Sequence, residues 1–277
     1  MGRSRGVRTA CGAVARGRSH AVPAVLGAVA KGRSHAVPAA LGAVATALAL
    51  CGCQSTQERS AQLQRQAKHE VLAARGVSVA KENPSVKVLQ TAVVRSHEGA
   101  AVVVALRNTS SHALENAPIE ITVRNARGGV IFQNDTPGVE PSLTTVSLLE
   151  PGREAIWIDD QVPSTGSPTS AGALVGEATR PSGAIPRLSI AGTHLSTEAG
   201  AGTTLSGTVA NGSPTTQQSL VVYAVARRGS NIVAAGRAVL PEVPAGTNQG
   251  TQVPFQIYFV GDPSGARIST SAPATTF

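Results

Sequence analysis

The stretch "APIEITVRN" at 117–125 constrains the fold more than any other: Ile119, Ile121 and Val123 point one way, Glu120, Thr122 and Arg124 the other. A period of two over this length is the pattern of a strand with one buried and one wet face. The same kind of run recurs nearby as "VVVALRN" (102–108), "GGVIFQN" (128–134), "LTTVSLL" (143–149) and "EAIWID" (154–159). Between the runs lie turn-forming clusters, "NTSSHALEN", "NARGG" and "EPGR". Aromatic residues are only 3% of the chain, so a core must come from Val, Leu, Ile and Ala, while 29 Gly and 17 Pro supply turns. Many short strands separated by such turns predict a β-sandwich.

The pattern stops at the Pro/Ser/Thr/Gly-rich "QVPSTGSPTSAG" (161–172) and restarts with "RLSIAGTHL", "TTLSGTVAN", "QSLVVYAVARRG", "NIVAAGRAVL" and "QVPFQIYFVG". This divides the body into a first module at 84–162, a linker at 163–183 and a second module at 184–277. The modules look like copies of one plan. In each, a strand ends in Asn (Asn108, Asn211), a polar loop and an alternating strand follow, then a Gly-containing turn, and a Pro/Gly turn precedes a closing strand. That order resembles the small extracytoplasmic β-sandwich modules of the FxLYD type. Ile121, Val123 and Gly128 stand at the Phe, Leu and turn-Gly positions of that motif. Arg124 and Asn125 replace its Tyr and Asp, and in the second copy the Gly of "YAVARRG" comes one residue early. The resemblance implies a sandwich.

The first 52 residues are a different kind of sequence. "GRSHAVPAVLGAVAK" at 17–31 is nearly repeated as "GRSHAVPAALGAVAT" at 32–46, with Pro23 and Pro38 interrupting any continuous helix. Two copies are too few for a solenoid; the repeat reads as a duplication within a leader or as paired short helical arms. The charge-free run "AVPAALGAVATALAL" follows basic residues and precedes small ones, the order of a secretory signal peptide, and is too short to span a bilayer with stable flanks. Residues 1–52 therefore read as a signal peptide with an internal duplication of 15 residues.

Two of the three cysteines lie in "LALCGCQS" (48–55). A disulfide across one intervening residue is geometrically strained, and a metal site lacks further ligands at usable spacing. The tetrad Leu50, Cys51, Gly52, Cys53 resembles the lipobox of bacterial lipoproteins. The resemblance implies a diacylglycerol thioether on Cys53, cleavage between Gly52 and Cys53, and localisation by lipid anchor at the extracytoplasmic face of the cell membrane. More than one acyl chain holds a protein there stably. The alternative frame ending at Cys51 puts Leu50 where the family has a small residue.

Residues 53–83 read as a lipid-anchored stalk, partly helical. Ser55 or Thr56 could cap a helix that Gly76 ends, with Leu63, Ala67, Val71 and Ala74 as a narrow apolar stripe. It serves either as a tether or as a partner helix.

The net charge of +8 does not indicate nucleic-acid binding. Seven of the 24 basic residues fall within 1–52, where there is no Asp or Glu, leaving 17 basic against 16 acidic residues beyond. These are scattered, without the clustered patch a nucleic-acid surface needs. His69, His97, His112 and His194 show no metal-ligand spacing, and His97–Glu98 sits at an expected hairpin turn. Asp159–Asp160 reads as a charged strand end, with cation binding or acid/base work as the alternative. Trp157 reads as core or a strand-edge cover. "PFQIYFVG" places Phe255, Ile257 and Phe259 on one face and Tyr258 and Val260 on the other, so this strand is either central or covered by a partner. It is the candidate interaction strand.

The expected fold is thus all-β: two tandem immunoglobulin-like β-sandwich modules after a signal peptide and a short helical stalk. The expected function is non-catalytic binding or assembly at the outer face of the membrane, with solute or ligand binding as the alternative. The expected partners are membrane lipid through acylated Cys53 and an envelope protein, with no cofactor, no metal and no nucleic acid.

Overall fold

The computed structural model describes residues 76–198, 202–246 and 252–277. Leu50, Cys51, Gly52, Cys53 and the stalk up to residue 75 lie outside the described residues. The described chain is all-β.

The first half contains β1 (Val86–Arg95), β2 (Ala100–Asn108), β3 (Leu114–Asn125), β4 (Val130–Gln133), β5 (Thr145–Leu149), β6 (Glu154–Val162) and β7 (Pro168–Val175). The second contains β8 (Leu188–Glu198), β9 (Gly202–Asn211), β10 (Gln217–Arg228), β11 (Asn231–Val243), β12 (Gln252–Tyr258), β13 (Val260–Gly261) and β14 (Arg267–Ser271). All named pairings are antiparallel.

The two halves repeat one topology. In the first, β1-β2-β6 forms one sheet, and β3 is flanked by β4 and β5 on one edge and β7 on the other. In the second, the sheet β8-β9-β12 corresponds to β1-β2-β6, and β11-β10-β14 corresponds to the sheet around β3. The single long β11 does the work of β4 and β5 together. In the first half an insertion at 134–144 splits that strand, and buried Asn134 fills the gap. Its Oδ1 accepts from the Ile121 N–H (2.8 Å), and its Nδ2 donates to the Ile119 (3.0 Å) and Leu143 (2.7 Å) carbonyls. One side chain supplies the pairing that missing strand backbone would otherwise leave open.

The same polar knot closes both halves. Asn108 Nδ2 donates to the His112 and Leu149 carbonyls, while its Oδ1 accepts from the Ser110 N–H and hydroxyl. Asn211 Nδ2 donates to Thr215 and Val243, and its Oδ1 accepts from the Ser213 N–H and hydroxyl. The Asn that ends a strand at the same position of each half is thus a shared structural device.

Continuous apolar runs mark strands covered on both faces. β2 is such a run, "AAVVVALRN", with every residue but Arg107 buried. In β10 the two faces enter different cores: Leu220, Val222 and Ala224 pack in the second half, and Val221, Tyr223 and Val225 pack against the first. The halves are therefore stacked sheet on sheet, within one compact unit.

Two boundaries need correction. Residues 168–175, read as linker, form β7 on β3; Pro, Ser and Gly are tolerated there because the strand is an edge. The actual connection is 176–187. The last stalk residues, 76–83, belong to the folded body: the Val79 N–H donates to Glu120 Oε2 (3.0 Å) and the Asn83 N–H to the Val175 carbonyl (2.8 Å).

Candidate functional site

The chemistry of the described chain gathers at the seam between the halves. β6 feeds it by alternation. Trp157 turns into the core of its own half, fully buried, with Nε1 donating to the Ser142 carbonyl (3.0 Å). Asp160, three residues on, faces the second half.

There it meets Arg237 of β11, whose side chain is 4% exposed. Arg237 Nε donates to Asp160 Oδ1 (3.0 Å), Nη2 to Glu140 Oε2 (3.1 Å) and Nη1 to Ser142 Oγ (2.7 Å). The Arg237 backbone N–H also donates to Asp160 Oδ2 (3.2 Å), and the Ser142 hydroxyl donates to Glu140 Oε1 (2.6 Å). A planar fork suits Arg to such multiple bonding. Glu140 and Ser142 come from the insertion that splits the first half's strand, so the irregularity of one module is what receives the arginine of the other.

Burial works against the Arg237 cation, but its bonds to Glu140 and the charge of Asp160 outweigh this and hold its pKa above the ordinary value. Burial also pushes Glu140 upward. The Ser142 and Arg237 hydrogen bonds overcome that and leave it below the usual carboxylate range. Asp159 behaves differently. It is 1% exposed, burial pushes its pKa up to about 6 against the help of the Gln161 N–H (2.9 Å), and the Asp160 charge raises it further. The two neighbours read as a charged strand end are therefore one latch residue and one buried acid. Period-two alternation could have separated their faces, but nothing local reveals Arg237, 77 residues away.

Beside this latch the halves leave a cleft of about 350 Å³. Leu148, Ile156, Tyr223 and Val225 contribute to its walls, with Glu150, Arg153 and Glu154 from one half and Ser269–Pro273 from the other. Tyr223, paired across the strands with Arg237, is 3% exposed, and burial raises its hydroxyl pKa so that it stays a neutral phenol.

The chain matches no family model and no curated protein sequence among those compared with it. Its functional reading therefore rests on its own residues.

The candidate interaction strand is an edge, not a central strand: β12 pairs only with β9. Phe255 and Ile257 are consumed by the second core, and Phe259 packs against it. Beyond Phe259 the chain changes sheet, because Val260 pairs with Ala235 of β11. The apparent second apolar face thus belongs to another sheet, and only Tyr258, 61% exposed, remains at the surface. His97 and Glu98 sit exposed at the β1–β2 turn, and His194 is exposed on β8. Among the described residues, no group of three or more His, Cys, Asp and Glu is placed to hold a metal, and no helix is long and apolar enough to cross a membrane.

Proposed function

We propose that this protein is a lipid-anchored cell-envelope protein whose paired sandwiches act in binding or assembly at the outer face of the membrane, without catalysis. The observation that carries the reading is "LCGC" at 50–53 directly after a charge-free h-region. The body suits such a role: two halves locked by a buried arginine present a rigid surface at the end of a tether. Cys53 would hold the lipid, with Leu50, Cys51 and Gly52 read by the processing enzymes. Cys53→Ser tests this. The variant should lose membrane retention and partition out of the detergent phase, and one that still partitions with membranes overturns the reading.

Solute binding is the second reading. It draws on the seam cleft, whose volume lies at the small end of the range of ligand sites and whose walls mix apolar and polar groups.

A further inference from the structure

We propose that the seam cleft is a docking slot for an extended peptide of a partner protein, added as a fifth strand along the free edge of β14. This deepens the binding role proposed above and does not depend on the anchor.

The first argument is the edge itself. In the order β13-β11-β10-β14, β14 pairs only with β10. Proteins commonly blunt an open edge with charge, proline or a covering segment. The one charge of β14, Arg267, stands at its first residue, Ile268–Ser271 carries neither charge nor proline, and no other described strand pairs with it.

The second argument is the internal repeat. β7 holds the equivalent place in the first half, outermost beside the long central strand, and there the C-terminal end of the edge is capped. Glu82 bridges Gly176 in antiparallel fashion, and the Asn83 N–H donates to the Val175 carbonyl (2.8 Å). The group that caps that end is main chain. In the second half the chain at the end of β14, Ala272–Pro273, lines the cleft instead.

The third argument is the chemistry of the walls. Ser269, Thr270 and Ser271 line one side; Glu154, Ala155 and Ile156, at the start of edge strand β6, line the other. Leu148, Ile156 and Val225 offer an apolar seat for a side chain. Tyr223 lines the cleft, and its hydroxyl, which makes no hydrogen bond with any described residue and is not among the fully buried polar atoms, can donate to a peptide carbonyl. On the rim, Glu150 holds Arg153 (3.5 Å) while Glu154 has no ion pair among the described residues. The slot therefore favours a strand bearing a Lys or Arg near the rim. Strand addition takes affinity from the main chain and selectivity from alternate side chains.

The test uses the full chain carrying Cys53→Ser, in solution, so that it is independent of lipid attachment. The probe is a pool of end-blocked heptapeptides alternating Thr with Val or Ile and carrying one Lys, read by amide shifts. Shifts are expected at Ser269–Ala272 and Glu154–Ile156 and not at β7. Methylating alternate peptide nitrogens separates the two registers: one methylated series should bind and the other should lose binding more than tenfold, because only one set of N–H groups faces β14. Tyr223→Phe, which keeps the packing, should weaken binding roughly five- to tenfold. No shift with millimolar pool overturns the proposal. So does equal binding by both methylated series, which would mark side-chain or solute binding, and so do shifts centred on Tyr258.

Discussion

Arg237 and Asp160 stand 77 residues apart in the chain and 3.0 Å apart in the seam, one on each half of the molecule. Their side chains are 4% and 18% exposed, and Glu140 completes the cluster at 3.1 Å. Removing one member of a buried pair costs more than the pair itself contributes, because the remaining charge is left desolvated. Arg237→Met should destabilise the fold by about 2–4 kcal/mol, read by denaturant unfolding. The intact protein should melt in one calorimetric transition. If the variant were as stable as the parent, Arg237 would not be the latch.

The two asparagine knots make a paired prediction. Asn108→Ala and Asn211→Ala each strand two carbonyls and two donors, and each should cost about 2–4 kcal/mol. The corresponding Asp variants keep the acceptor but lose both Nδ2 donors, so they should recover little. Urea denaturation of the four variants distinguishes this from a simple cavity effect, in which the nearly isosteric Asp variants would be almost neutral.

Asp159 predicts a pH dependence of unusual sign for a carboxylate. Its folded pKa of about 6 lies above the ordinary 3.8, so the folded state prefers the protonated form. Ionisation weakens the fold as pH rises between those values, and the penalty is complete at neutral pH. Asp159→Asn removes it and keeps an oxygen for the Gln161 N–H. The variant should be more stable at pH 7 by on the order of 2–3 kcal/mol. That advantage should shrink through pH 6 and vanish below about 3.8, as measured by thermal unfolding across pH. Glu140 acts oppositely: with its pKa lowered, its stabilisation is lost as pH falls through the acid range.

Gly261 lies where the chain crosses between sheets, at φ +90°, with the Val233 carbonyl and Val94 side chain occupying the space a Cβ would need. Gly261→Ala should cost about 2 kcal/mol or more. Hydrogen exchange should then rise first in β13 and its partners Ala234 and Ala235. An unchanged melting temperature would contradict this.

Much of the fold is legible locally. Alternation along β3 separates Ile119, Ile121 and Val123 from Glu120, Thr122 and Arg124, and the unbroken run of β2 reports burial on both faces. Edge strands are harder to see. β7 was hidden because an edge tolerates the Pro, Ser and Gly that elsewhere mark a linker. The end of β12 misled for a related reason: one continuous sequence run there serves two sheets.

By itself, the sequence determined the β class and the shared positions of Asn108 and Asn211, because each is written in spacing that a short stretch of chain can carry. Only the tertiary structure decided that the halves share a seam, that Asp160 is a latch residue while Asp159 is a buried acid, and that β14 borders an open cleft. Those properties depend on desolvation and on charges brought together across 77 to 97 residues, a distance over which local sequence pattern carries no information.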